Sequence, residues 1–462
     1  MPKCHGRVLH DSHAEVLALR GLNYWLLTEV TRMLQDRKGY QSQWLYSKGC
    51  CWKSLRSEPD KDSWPPFHLR PNVSIHLLST EHPCGDASME CLMSELGPEA
   101  SRPWQIPVLV ADESPTSSKA GVEAASTSLY GRAYFSSLGL VRRKPSRPDA
   151  EPTLSKSCTD KLTVKQLTGL LSFPSCCFIA NSSNVYLSSF VLPSSQYSSH
   201  AYERAFRLSG RLSRLCRLEL PPSHSYHPFP FCPLPFDFPS FSFSKAAQMS
   251  STNRKGKPSS VSALYIYQPQ DGGSDNPKPV VEALINGVKQ GYSAISPTDD
   301  IRKASRISRS SFFRLAKLVA QGLLQEVCTT HQDRQRGDHN DLDLSANSTN
   351  YEEIIVENDK KDKQSDRSAF LIGGQQEKAE HTNTSHDHDN QESSSSSSNS
   401  SNNNMSAPLN AFLNAETYDD AKRIAEQSWT NVRQRAESKR LLVNHVLPGT
   451  WPKNVGDGEW GV

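Results

Sequence analysis

No stretch of the 462-residue sequence approaches the roughly 18 consecutive apolar residues that a membrane-spanning helix needs, so none is expected. The first residues, Met1 to His10, have no apolar core of the kind that opens a secretory signal. Charge of one sign is also missing: Lys and Arg total 52 against 49 for Asp and Glu, a formal +3, which excludes a uniformly basic coat for nucleic acid but not a local basic face. Hydrophobic residues make up only 36%, low for a fully packed globule, so part of the chain is not expected to pack. The 11 cysteines are odd in number and lack the spacing of a disulfide framework. They read as reduced thiols in the cytosol or nucleus, available as metal ligands. No internal repeat is visible.

What is present is clearest at the front. Asp11 and Ser12 can cap a helix starting at about His13, in which Leu19, Leu22, Leu26, Val30 and Leu34 form one apolar stripe. Asn72 to Thr80 (NVSIHLLST) reads as a buried strand, Ala87 to Leu96 as a second helix, and Ile106 to Val110 (IPVLV) as another strand. This alternation predicts an α/β layer architecture. Three stretches read as insertions, at about 46–69, 111–127 and 221–260, the last an exposed loop of Pro, Phe and Ser. Residues 328–406 end in a Ser/Asn tract and are expected to be disordered. Order is expected to return at 407–462, where Ala411, Tyr418, Ala421 and Ala425 lie at helical spacing and Trp429, Trp451 and Trp460 suggest a tail packing back on the catalytic part, 1–327.

The strongest chemical signal is His13-Ala14-Glu15 at one helix start and Pro83-Cys84-Gly85-Asp86 at another. This is most of the H-x-E…P-C-x-x-C zinc-deaminase pattern. Two helix N-termini can bring an imidazole and a thiolate to one point, and each helix dipole favours the thiolate. Zn²⁺ with three protein ligands keeps a position for water and lowers its pKa to about 7. Glu15, two residues from His13, is then free to shuttle the proton. Either motif alone is weak. The pattern also breaks, since Ala87 stands where the second cysteine belongs. Cys91 lies one helical turn too far along and is expected in the helix face; Cys158 becomes the better candidate through the resemblance that follows.

The order His-Ala-Glu, Pro-Cys-Gly-Asp and Ser157-Cys158-Thr159-Asp160-Lys161 resembles that of the RNA adenosine deaminases, and Gly6 to Asn23 (GRVLHDSHAEVLALRGLN) is similar to their fungal tRNA-specific branch. The resemblance implies a cytidine-deaminase-like three-layer core, a mixed sheet flanked by helices. It implies hydrolytic deamination of adenosine to inosine in tRNA, next to the anticodon of an alanine tRNA, with no obligate protein partner. It selects Cys158 as third zinc ligand beside His13 and Cys84. It further implies a buried inositol hexakisphosphate held by Arg20, Lys161, Lys165, Tyr418, Lys422 and Trp451, with Arg306, Arg309 and Lys453 as weaker matches. Lys144 and Asp11 would link this anion to the zinc site, and Asp149 falls near the family's base-flipping loop. The family carries a further segment ahead of the His-Ala-Glu helix, so that segment is expected to be missing. Two other readings remain: a deaminase of another base or of free nucleosides, and a catalytically inactive RNA-binding homologue or truncated product.

Overall fold

A computed structural model describes residues 4–35, 40–48, 64–99, 102, 129–130, 137–144, 153–234, 261–267, 279–292, 301–335 and 406–452. The amide of His13 is met by Asp11 Oδ1 at 3.1 Å, and helix α1 follows as Ala14–Gln35. Its buried face is wider than one stripe, because α1 lies between two apolar clusters. Leu26, Leu27, Val30 and Leu34 enter the larger, while the half-buried Leu19 and Leu22 pack on the smaller. Strands β1 (Leu45–Ser47) and β2 (Phe67–Leu69) pair antiparallel, so the stretch read as irregular is tied down at both ends.

β3 spans Ile75–Leu78, shorter than the 72–80 expected and buried on one face only. A single 3-10 turn, Asp86–Ser88, leads into α2, Met89–Glu95. The short strands β4 (Leu129–Tyr130) and β5 (Arg142–Arg143) pair in parallel. Helix α3 (Cys158–Thr168) is capped by Ser157, whose side chain accepts from the Asp160 amide at 3.1 Å. β6 (Leu187–Pro193) runs parallel to β3 on one side and to β7 (Phe231–Leu234) on the other, and α4 is Ser199–Phe206. β7 corrects the expectation of an unbroken loop at 221–260. Its Pro233 is tolerated because β7 is an edge strand and needs no donor there.

The second sheet is antiparallel: β8 (Val261–Ile266), β9 (Val280–Ile285) and β10 (Val288–Lys289). Asn286 and Gly287 turn the β9–β10 hairpin with φ of 51° and 82°, the left-handed pair a two-residue hairpin requires. That turn positions the start of α1, since Leu9 donates to Gly287 O at 2.9 Å and a Cβ on Gly287 would lie 2.2 Å from Leu9 O. Mixed α/β architecture is thus met, with parallel and antiparallel pairing in separate small sheets.

Helix α5 is Arg309–Gln335; the tail adds α6 (Ser406–Leu413), α7 (Tyr418–Ser428) and α8 (Thr430–Leu441). Met1–His331 and Asn403–Val462 form one unit, while Gln332–Asn402 form another that lies almost wholly outside the described residues. The strand expected at Ile106 to Val110 also lies outside them. Trp429, 2% exposed, stacks on Trp64 at 5.4 Å and packs on Phe178 and Phe412. The tail therefore completes the main core. No helix among the described residues is long and apolar enough to cross a membrane. Trp429→Ala should cost about 3–5 kcal/mol in denaturant unfolding. Truncation before Ala411 should prevent cooperative unfolding altogether, and an unchanged transition in either case would show that the tail is peripheral.

Candidate metal centre and buried basic cluster

Three segments far apart in sequence meet at one point. His13 lies at the start of α1, Cys84 precedes the 3-10 turn, and Cys158 is the first residue of α3. One ligand atom from each lies within 4.8 Å of the others, running from an exposed His13 through a half-buried Cys84 to a buried Cys158. Cys84 Sγ is 3.6 Å from His13 Nδ1 and accepts from the Cys158 amide at 3.3 Å, as a sulfur at a helix N-terminus does. Close approach depends on Gly85: its φ is +114°, and a Cβ there would lie 2.3 Å from Ser157 Oγ. The group can hold one metal ion. Cys91 is half-buried on α2 and is not part of it.

The charges are strongly coupled. A hydrogen bond from Cys158 holds the Cys84 thiol well below its ordinary range, against burial and with help from Lys144 and His13. The same bond, burial and the charge of Cys84 push Cys158 well above it. Burial would lower His13, but the hydrogen bond and charge of Cys84 raise it. Glu15 Oε2 accepts from Cys158 Sγ at 3.3 Å, and burial followed by the Cys84 charge raises its carboxyl.

Lys144 Nζ donates to Cys158 Sγ at 3.4 Å and to both oxygens of Asp11, at 3.0 and 2.8 Å. Lys161 and Ser155 also donate to Asp11. Burial works against ionising Asp11, yet Lys144 and Lys161 bring its carboxyl below the usual range. Burial likewise opposes the Lys144 charge, but Cys84, Cys158 and Asp11 raise its pKa. Lys161 is thus committed to this node rather than standing among the other cations.

Those cations gather behind it. Burial lowers Arg20 to about 10, with Arg309 adding repulsion, while its Nε donates to Ile307 O at 2.7 Å. Burial also lowers Lys165 well below its usual value, helped by Arg435 and Lys439, though its ammonium donates to Leu170 O, Leu171 O and Ser172 Oγ. Lys439 falls to about 8 through burial and then Lys422 and Arg435. Tyr418 is pushed up to about 12 by burial. Lys422 lies at the rim, half exposed, 3.9 Å from Glu426. Trp451 is half-buried beneath the Lys156 ammonium, 5.3 Å from its ring centroid. Arg306 Nη1 reaches Tyr24 Oη at 3.4 Å, while Asp149 and Lys453 lie outside the described residues. Sequence reasoning missed Arg435 and Lys439; their four-residue spacing on α8 was the available signal.

A family model described as the adenosine-deaminase (editase) domain matches residues 3–358. The chain is similar to tRNA-specific adenosine deaminase 1 of Schizosaccharomyces pombe, 32% identical over 322 residues, 70% of this chain and 69% of the relative. The protein of the same name in Saccharomyces cerevisiae is 33% identical over 172 residues, 37% of each chain. That of Drosophila melanogaster is 34% identical over 166 residues, 36% of this chain and 34% of the relative. Metal analysis should find about one divalent ion per chain. Cys158→Ala should lose it and Cys91→Ala should keep it; the reverse pattern would transfer the ligand role to Cys91.

Proposed function

The chain belongs to the adenosine-deaminase (editase) family, and from that premise we propose that it hydrolyses adenosine to inosine in tRNA, releasing ammonia, at the nucleoside immediately 3′ of the anticodon of an alanine tRNA. One observation carries the reading: a nitrogen and two sulfurs lie within 4.8 Å of one another, with the Glu15 carboxylate 3.3 Å from Cys158 Sγ. One His and two Cys beside a Glu that is not itself a ligand is the donor set of a zinc deaminase. His13, Cys84 and Cys158 would hold a Zn²⁺ ion, which would supply the Lewis acidity that lets water lose a proton near neutral pH. Glu15, 3.3 Å from Cys158 Sγ and not needed as a ligand, would take that proton and return it to the departing nitrogen. Adenosine must be unpaired or flipped to reach such a site, which an anticodon loop offers at little cost. A tRNA substrate fits a nuclear or cytoplasmic protein.

We also infer that the basic cluster of the half-buried Arg20, Lys165 and Arg435, with the exposed Lys439 beside them, holds inositol hexakisphosphate. Arg20 Nη2 is buried without a hydrogen-bond partner; burial and neighbouring cations lower Arg20, Lys165 and Lys439, and burial lowers Arg435 against the opposing pull of Cys176 and Tyr186. Isolated buried charges cost on the order of several kcal/mol each. A polyanion offsets that through charge-assisted hydrogen bonds.

Glu15→Gln should keep metal and tRNA binding while inosine formation falls by about 10²–10⁴-fold; turnover within a few-fold of wild type would remove Glu15 from the proton path. The anion reading has its own test. Burial and its cationic neighbours lower Lys439 to about 8 in the folded chain against an ordinary 10.5, so the unfolded chain binds more protons between these values. The stability penalty is full below about 8 and is relieved as pH rises through the window. Thermal unfolding of anion-free protein should therefore show stability rising across it, and added inositol hexakisphosphate should abolish the rise. No effect of the anion on the profile would count against the site.

A further inference from the structure

Each candidate cysteine ligand is followed, two residues on, by an aspartate: Cys84-Gly85-Asp86 and Cys158-Thr159-Asp160. Both aspartates are fully buried. Asp86 Oδ1 accepts from the Gly139 amide at 2.7 Å and Oδ2 from Arg204 Nε at 2.9 Å, while Arg204 Nη2 donates to Asp86 O at 2.9 Å. Asp160 is held in the same manner. Its Oδ2 accepts from the Arg142 amide at 2.9 Å and from Ser157 Oγ at 2.6 Å, and its Oδ1 from Arg211 Nη1 at 2.7 Å. Each carboxylate thus joins one backbone amide of the segment 139–142 to one arginine of the segment 204–211.

The two clamps share a frame. The Arg211 amide donates to Arg204 O at 2.9 Å, so the arginines are tied to each other. The guanidinium of Arg142, fully buried, interacts electrostatically with both carboxylates. Ser157 in turn donates its amide to Arg142 O at 2.9 Å, so β5, the strand just before Lys144, is tied to the start of α3 through both the amide and the carbonyl of Arg142. Across the gap, Cys84 O accepts from the Thr159 amide at 3.0 Å and Ala87 N donates to Thr159 Oγ1 at 3.3 Å.

We propose that Asp86 and Asp160, with Arg204, Arg211 and Arg142, are positioning residues of the metal centre: a buried paired-carboxylate frame that sets the separation of the two cysteine sulfurs and holds Lys144 against them. Buried ion pairs seldom stabilise a fold more than apolar packing would. Their gain here is geometric, since metal ligands must be held to within about half an ångström by the groups behind them. The inference rests on the reading of His13, Cys84 and Cys158 as zinc ligands.

The test measures zinc affinity by chelator competition and the visible spectrum of Co²⁺-substituted protein, beside thermal unfolding, for Asp160→Asn, Arg211→Lys and Thr163→Val. Thr163 Oγ1 accepts from the same arginine, Nη2 at 2.9 Å, and donates to Thr159 O at 2.9 Å, without touching the carboxylate. Asp160→Asn should weaken zinc about ten- to hundredfold and shift the cobalt bands. Arg211→Lys, which keeps the charge but not the fork, should do the same to a lesser degree. Thr163→Val should lower the melting temperature and leave both metal readouts unchanged. Wild-type zinc affinity and cobalt spectrum in the two clamp variants, whatever their melting temperatures, would reduce the frame to ordinary packing. Should Asp160→Asn fail to fold, Arg211→Lys decides alone. Wild-type protein that takes up no zinc would overturn the metal reading itself, and this inference with it.

Discussion

Two sulfur atoms in contact, one of them buried, cannot both carry full charge without a cation close by. Much of the architecture answers that constraint. Cys84 and Cys158 divide the charge unequally, one driven down and the other up. Lys144 stands against Cys158, Asp11 against Lys144, and Lys161 against Asp11, an alternation of sign that keeps each buried group paired. Asp11 also accepts the amide of His13, so the residue that balances the lysines fixes where the imidazole begins. A divalent ion would let both sulfurs ionise, and the scaffold already supplies the geometry for it.

The alternation does not stop at the metal site. Arg20 feels the charge of Asp11 on one side and of Arg309 on the other. Lys165, Arg435 and Lys439 continue the cations toward the tail. These charges are supplied by α1, α3 and α8, that is, by the front of the chain and its last helix. The apolar seal of Trp429 over Trp64 and Phe178 brings the last contributor into register. Packing of the tail and electrostatics of the site are therefore one problem: without the tail, the cluster loses part of its charge and its cover together.

The site was more legible in the sequence than the fold. His13, Glu15 and Cys84 declare themselves by spacing at helix starts, and Cys158 through resemblance. The α1 stripe was visible, though not that Leu19 and Leu22 serve a second cluster. The short strands were not readable. β1 and β2 have three residues each, too few for any period, and β7 hides in a Pro-rich stretch because an edge strand tolerates Pro233. Asp86 and Asp160 were visible as a repeated offset from cysteine, but the repeat acquires meaning only once Arg204 and Arg211 arrive from elsewhere in the chain. Arg435 and Lys439 lie on the most polar of the tail helices and read as solvent-facing; Lys439 is exposed, while Arg435 is half-buried and donates to Thr168 O.

The departure at Ala87 has a structural reason. In a Cys-x-x-Cys arrangement both sulfurs come from one helix start, and the metal ties down a single local loop. Here Ala87 is fully buried, and its amide donates to Thr159 Oγ1 at 3.3 Å, beside the cysteine that stands in for the missing one. The second sulfur has moved to another helix, and the backbone at Ala87 has become a contact with that helix. A metal at His13, Cys84 and Cys158 then joins α1, the 3-10 turn before α2, and the start of α3, closing long loops rather than a short one. Loop-closure entropy grows with the length enclosed, and free energy of binding at a site assembled only on folding is free energy of folding. On the proposed reading the split ligand set would make the ion a cross-link between these elements, and the paired aspartates beneath the two cysteines would hold the ends of that cross-link at the distance it must span.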